Sequence, residues 1–301
     1  MTRYRPRLRL ALARTAFARP AALLLAIALL AAPIVVAGDA PLWSDEHGTG
    51  DPTIVLLHGL GANRHVWSLV APQLARTHRV VLVELPGHGE SPPLRTVSVK
   101  EAARAVDRVL EARRVERALL VGHSYGGWVA LEEAVAKPRR AAGVVVLDMG
   151  AYSPADTARI AALESHLAER YPSLIQVIFK AMSELPTEGD SAVAEALRVP
   201  PDVMRAYFRE AWRADLRPRL RNLKTPLHVV ATPATWPAGQ PWEAVRDRLG
   251  YATKGPVTGH RVDGSGHLIM RDQPEALVAV IDSIARATAA GAASKRGARP
   301  R

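Results

Sequence analysis

Gly122-His123-Ser124-Tyr125-Gly126 is the stretch of this 301-residue chain best suited to chemistry. It spells G-x-S-x-G, which holds a serine on a sharp turn between a strand and a helix and exposes its hydroxyl at the carboxyl edge of a sheet. A serine hydroxyl is a weak nucleophile at neutral pH. To attack an acyl carbon it needs a base within hydrogen-bond reach, and that base needs an acceptor to orient it. The pattern arises by chance in roughly one chain in ten of this length, so its surroundings decide. Ala118-Leu119-Leu120-Val121 before it reads as a buried strand, and residues 128–136 after it read as a helix stopped before Pro138. An ordinary glycine-rich strand–helix turn is the alternative reading.

The elements that must position such a turn are legible along the chain. Thr53-Ile54-Val55-Leu56-Leu57 is an apolar run ending at His58-Gly59, and residues 79–85 form another ending at Pro86-Gly87-His88-Gly89. Val99, Ala102, Ala103, Val106, Val109 and Leu110 recur at spacings of three and four, which predicts a helix over 97–113. Strand 118–121, helix 127–137 and strand 143–148 follow. Strand 227–231, a short strand around 259–262 and a closing helix from Pro274 to about Ala289 complete the series. Continuous apolar strands alternating with helices predict an α/β fold, a mostly parallel central sheet flanked by helices on both faces.

Residues 151–222 break the rhythm. Helices are predicted over 155–170, 173–182 and 202–212, with no strand. Tyr152, Tyr171, Phe179, Tyr207, Phe208 and Trp212 are six of the fifteen aromatics of the chain, in under a quarter of its length. We read a helical lid over the strand ends, with at least half of these rings forming its own core. The core then divides into residues 38–150 and 223–289.

The formal charge of +11 invites a nucleic-acid reading that its distribution removes. Six of the charges are arginines in residues 1–37 and four lie in 291–301, which leaves the body at +1 with no basic stripe and no interleaved aromatics. Arg3 to Arg19 followed by the apolar run 21–36 and Val35-Val36-Ala37 read as an export signal with Gly38 as first mature residue, hence a periplasmic or secreted protein. The apolar run is short for a bilayer span. An uncleaved inner-membrane anchor, with the basic ends on anionic lipid, is the alternative, and a start codon placed upstream of a cytoplasmic enzyme is a third. The tail 290–301 reads as basic and disordered. Cysteine is absent, which excludes disulfides, thiolate metal sites and a cysteine nucleophile.

Taken together, residues 50–289 resemble the α/β-hydrolase superfamily. His58-Gly59-Leu60 with Trp67 looks like the first strand-end loop of that family, and Leu85-Pro86-Gly87-His88-Gly89-Glu90-Ser91 like its second, with Glu84 where an aspartate is usual. Residues 122–127 look like its nucleophile elbow, and Gly264-Ser265-Gly266-His267 like the loop that bears its catalytic histidine. The resemblance implies Ser124 as nucleophile and His267 as base, while His58, His88 and His123 serve structure.

The acid is less direct. The family usually places it after the strand read here at 227–231, but residues 232–240 hold no carboxylate, and the first beyond is Glu243, at the start of a helix. The other position used in the family is one strand earlier, where Asp148 ends its strand, much as in some haloalkane dehalogenases. Those carry an aspartate nucleophile where this chain has Ser124, so their chemistry does not transfer. Asp148 is the expected acid; Glu243 and Asp263 are alternatives. Backbone N–H groups of Leu60 and Tyr125 are the expected oxyanion donors, and the Tyr125 side chain is a candidate pocket wall.

No metal or nucleotide motif is present, and no cofactor is implied. The expected activity is hydrolysis of a carboxylic ester through an acyl-enzyme, on a small apolar or aromatic acyl compound. Lactone, amide, thioester, carbon–carbon and acyl-transfer chemistry remain open, as does a non-catalytic binding protein that kept the fold. The oligomeric state is not legible.

Overall fold

The computed structural model describes residues 40–297, so the leader 1–37 and residues 298–301 lie outside the described residues. The apolar runs form a seven-stranded sheet of β1 (Ser44–His47), β2 (Thr53–Leu57), β3 (Val80–Val83), β4 (Ala118–His123), β5 (Ala141–Leu147), β6 (Leu227–Ala231) and β7 (Val257–Arg261). Their order is β1-β3-β2-β4-β5-β6-β7. β1 runs antiparallel to β3, and the other neighbours are parallel.

Every residue of β2, β3, β4 and β5 is buried. Strands covered on both faces have no polar side to alternate with, which is why they read as continuous apolar runs. Around the sheet lie α1 (Ala71–Leu74), α2 (Val99–Ala112), α3 (Tyr125–Ala136), α4 (Thr157–Glu169), α5 (Tyr171–Lys180), α6 (Pro186–Ala196), α7 (Pro201–Arg213), α8 (Arg217–Leu220), α9 (Trp242–Arg248), α10 (Ile269–Asp272) and α11 (Pro274–Gly297). Successive strand residues point to opposite faces. Val55, Leu57, Val81, Val144 and Val146 therefore join the core with α2 and α3. Ile54, Leu56, Val80, Val121 and Val145 join the core with α1, α10 and α11. Each such side chain contributes about 2 kcal/mol of burial, so the sheet is the rigid part on which a site can be held.

Helices α4 to α8 all fall between β5 and β6, as the helical stretch 151–222 predicts. α6 is a helix the sequence conceals. No helix is predicted over Pro186-Thr187-Glu188-Gly189-Asp190-Ser191, yet Pro186 occupies the first helical position, where its missing N–H costs nothing, and α6 packs on α5. β1 is concealed too. Its Ser-Asp-Glu-His sequence is polar, and it is held at the sheet edge by pairing with β3 and by the Arg79 guanidinium, which donates to both Glu46 carboxylate oxygens at 2.7 and 2.8 Å. α11 runs to Gly297, past the end near Ala289 that the pattern predicts. The alanine-rich segment that reads as tail is also strongly helix-forming.

Candidate active site

β4 ends at His123 and α3 begins at Tyr125, so Ser124 alone makes the turn. Its backbone lies at φ 52° and ψ −121°, a strained conformation for a residue with a side chain. The turn is tight because two glycines let the chain cross itself. A Cβ on Gly122 would lie 2.2 Å from the Gly126 carbonyl oxygen, and one on Gly126 would lie 2.4 Å from that of His58. The Ser124 N–H donates to the Leu147 carbonyl at 3.0 Å, which ties the turn to the next strand. Its hydroxyl does not cap α3 and faces a cavity of about 580 Å³.

Asp148 stands at the end of that next strand. It too has a positive φ, 49°, so two of the three such non-glycine residues among the described residues are the sequence-predicted nucleophile and acid. The residue is 8 % exposed. Oδ2 accepts from His267 Nδ1 at 2.9 Å. Oδ1 accepts from the Thr232 N–H at 3.1 Å and from the Thr232 hydroxyl at 2.9 Å. Burial pushes the Asp148 carboxyl up, but the hydrogen bond and charge of His267, with further bonds from Thr235 and Thr232, outweigh it and hold the group below the usual carboxylate range. An ionised Asp148 fixes the His267 tautomer with its proton on Nδ1, which leaves Nε2 free to accept one. Glu243 is exposed on α9, and the exposed Asp263 pairs with Arg261 at 2.8 Å; neither lines the cavity.

The histidines read as structural brace the neighbouring loops. His58 Nδ1–H donates to the Gly59 carbonyl at 2.8 Å, and its Nε2 accepts from the Leu85 N–H at 2.9 Å. His88 Nδ1–H donates to the Pro86 carbonyl at 3.0 Å, and its Nε2 accepts from the Gly61 N–H at 3.1 Å. Burial pushes His58 down to about 4 and His88 to about 3, so both are neutral. Leu60 lies between these ties and lines the cavity beside Ser124. His123 goes further than bracing. Burial holds it well below the usual range, and its Nε2–H donates to the His267 carbonyl at 2.9 Å with the rings 4.6 Å apart.

Tyr125 supplies one of the first N–H groups of α3, which have no partner within the helix. Its side chain is not the pocket wall that the sequence suggests. The ring is 1 % exposed in the core, edge-on to Trp128 and Tyr207, because an apolar ring on a buried helix gains more there than at a cavity mouth. The segment 151–222 lines the cavity instead, through Tyr152, Phe179, Phe208 and Trp212. Tyr171 and Tyr207 are buried; the Tyr207 ring packs edge-on to Tyr125 and His88, and its hydroxyl donates to the Pro86 carbonyl at 2.7 Å, so it anchors the segment to the core below.

Sequence reading missed the donors behind the acid. Thr232 directly follows β6 and has no exposure at all; a hydroxyl buried at a strand end is the signal that it hydrogen-bonds to something. The Tyr251 hydroxyl, which donates to the Met149 carbonyl at 2.6 Å, carries no such signal.

A family model described as the alpha/beta hydrolase family matches residues 54–280. A pimeloyl-[acyl-carrier protein] methyl ester esterase of Edwardsiella ictaluri is 34 % identical over 199 residues, 60 % of this chain and 73 % of that protein. Among solved structures, a hydrolase from Oleispira antarctica is similar with a TM-score of 0.72 at 15 % identity, over 83 % of this chain and 96 % of that one. A thermophilic esterase from Thermogutta terrifontis is similar with a TM-score of 0.70 at 22 % identity, over 82 % and 93 %. The structural likenesses bear on the fold, which agrees with the strand order above. A family match that spans every strand from β2 to β7 makes this chain an enzyme of the alpha/beta hydrolase family.

Proposed function

We propose that the chain hydrolyses carboxylic esters through an acyl-enzyme on Ser124. The observation that carries the reading is the 2.9 Å bond from His267 Nδ1 to the buried Asp148 carboxylate, in the cavity that Ser124 faces. His267 Nε2 takes the proton as the Ser124 oxygen attacks the acyl carbon, and Asp148 stabilises the imidazolium that forms. The N–H groups of Leu60 and Tyr125 receive the developing oxyanion. His267 then returns the proton to the departing alkoxide. Water, deprotonated in its turn by His267, releases the carboxylic acid. The relative named above acts on a methyl ester, and the aromatic wall of Tyr152, Phe179, Phe208 and Trp212 suits an apolar acyl chain.

The test is p-nitrophenyl ester hydrolysis across acyl lengths, beside labelling by a fluorophosphonate. Wild type should turn over and be labelled once, and Ser124→Ala should do neither. A wild type inert to both reagents overturns the reading. Export rests on residues 1–37 alone. Recovery from the periplasm of a chain beginning at Gly38 is the expected result, and a cytoplasmic chain of full length is the contrary one.

A further inference from the structure

The loop that bears His267 is fastened to the helical segment at both of its flanks. The Leu268 N–H donates to the Met182 carbonyl at 2.8 Å. Asp272, at the end of α10, takes the remaining donors. Its Oδ2 accepts from the Gly266 N–H at 2.8 Å and from the Glu184 N–H at 3.2 Å, and its Oδ1 accepts from the Ser183 hydroxyl. The residues on either side of His267 are therefore bonded, directly or through one carboxylate, to the short turn 182–184 between α5 and α6. Arg271 extends the tie. It pairs with Glu188 at 3.3 Å and Glu195 at 3.7 Å on α6, and donates to the His65 carbonyl at 2.7 Å.

The same turn and helices line the cavity through Phe179, Met182, Glu188 and Ala192. Met182 thus both lines the cavity and accepts from Leu268, next to His267. A carboxylate shared by two backbone N–H groups and a hydroxyl is a strong fastening, since hydrogen bonds to a charged acceptor are shorter and stronger than neutral ones. Catalytic geometry is also sensitive at this scale, because a displacement of about 1 Å can cost about 10²-fold in rate.

We propose that Asp272 is a positioning residue that couples the turn between α5 and α6 to the histidine loop, so that the seat of the helical cover sets the His267 imidazole. The proposal rests on His267 acting as the base, as argued above. Ser183 is the partner on the cover side. A simple fastener would hold the cover without affecting the base.

The experiment uses the full chain with Ser183→Ala, Asp272→Asn and the double variant. Three quantities are measured: amide hydrogen exchange of the 182–185 turn and the 264–268 loop, the rate of fluorophosphonate inactivation, and kcat and KM on short and long p-nitrophenyl esters. Ser183→Ala changes only the cover, yet exchange should quicken in both segments, and kcat should fall about tenfold with KM unchanged. Asp272→Asn should do the same more strongly, and the double variant should be no worse than Asp272→Asn. Exchange that quickens only in the turn, losses that add in the double variant, or a loosened loop with unchanged inactivation and kcat each overturn the proposal. A wild type that fluorophosphonate does not label overturns the hydrolase reading instead. The exchange comparison then still upholds the coupling if the loop responds to Ser183→Ala, and overturns it if the loop does not.

Discussion

The ends of β5 and β6 stand side by side and hold opposite chemistry. Leu147 pairs with Val230, so the two strands finish nearly level. β5 then presents Asp148, a carboxylate, and β6 presents Thr232, a hydroxyl and an N–H, and the second donates to the first twice. Of the two ends, only that of β5 carries a charge, and it is the one bonded to His267. The difference teaches that an acid position left without an acid need not be empty. Here it supplies two further donors to the neighbouring carboxylate, which the hydrogen bond and charge of His267 hold down against the upward push of burial.

Breaking the charged side of this pair should have the largest effect. Asp148→Asn keeps the shape but presents an amide that lets His267 take the wrong tautomer, and kcat should fall by about 10⁴ with the protein still folded. Steady-state kinetics beside circular dichroism decide it. A loss of less than tenfold would place the acid elsewhere, with Glu243 next in line. Exchanging the two ends is the sharper variation. In Asp148→Asn with Thr232→Asp the carboxylate moves one strand over, and about 10² of the lost kcat should return. No return would mean that the β6 end cannot reach Nδ1.

Strands β2 to β5 were legible because burial on both faces leaves only apolar residues, Ser124 because its turn demands glycines at fixed places, and His267 through the resemblance of its glycine-rich loop to the family's. Asp148 was legible as a choice between two strand ends. Thr232 was not, since a threonine after a strand is common and its meaning appears only when the adjacent strand end is known. The same holds for Asp272 and Ser183, which are 89 residues apart and meet only in the fold. β1 and α6 escaped for a different reason. Their residues are polar, and partners rather than propensity hold them in place.

The two strands also differ in how they answer acid. On β6, His228 Nδ1 lies 3.1 Å from His260 Nε2 on β7, and burial followed by the neighbouring imidazole lowers His228 to about 4. His58, fully buried after β2, is likewise held at about 4 by burial. In the unfolded chain these rings take up protons near 6.5, so between pH 6.5 and about 4 only the unfolded state gains them, and stability must fall as the pH drops. His58 alone is worth about 3 kcal/mol at pH 4 by this route. Asp148 acts lower. Its folded carboxyl lies below the usual carboxylate range, so its contribution is kept above the unfolded value of 3.8 and lost only beneath it. Urea midpoints at pH 7.5, 6 and 4.5 should therefore decline steadily while Asp148→Asn declines in parallel. A flat profile across that window would contradict the buried, neutral imidazoles.

The smallest effect tests the supporting side of the strand pair. Thr232→Val is nearly isosteric and removes the hydroxyl bond at 2.9 Å while the backbone N–H at 3.1 Å stays. A hydrogen bond to a charged group is worth about 1.5–3 kcal/mol, yet the remaining donors from His267, Thr235 and the Thr232 backbone share the load. The net loss in kcat should be near the lower end, about tenfold, with KM unchanged because the hydroxyl does not face the cavity. The informative comparison is between rate and stability. Thr232→Ser, which restores the hydroxyl, should bring the rate back. If Thr232→Val loses stability but leaves kcat where it was, the threonine merely packs the strand end, and the reading of β6 as a support of β5 fails.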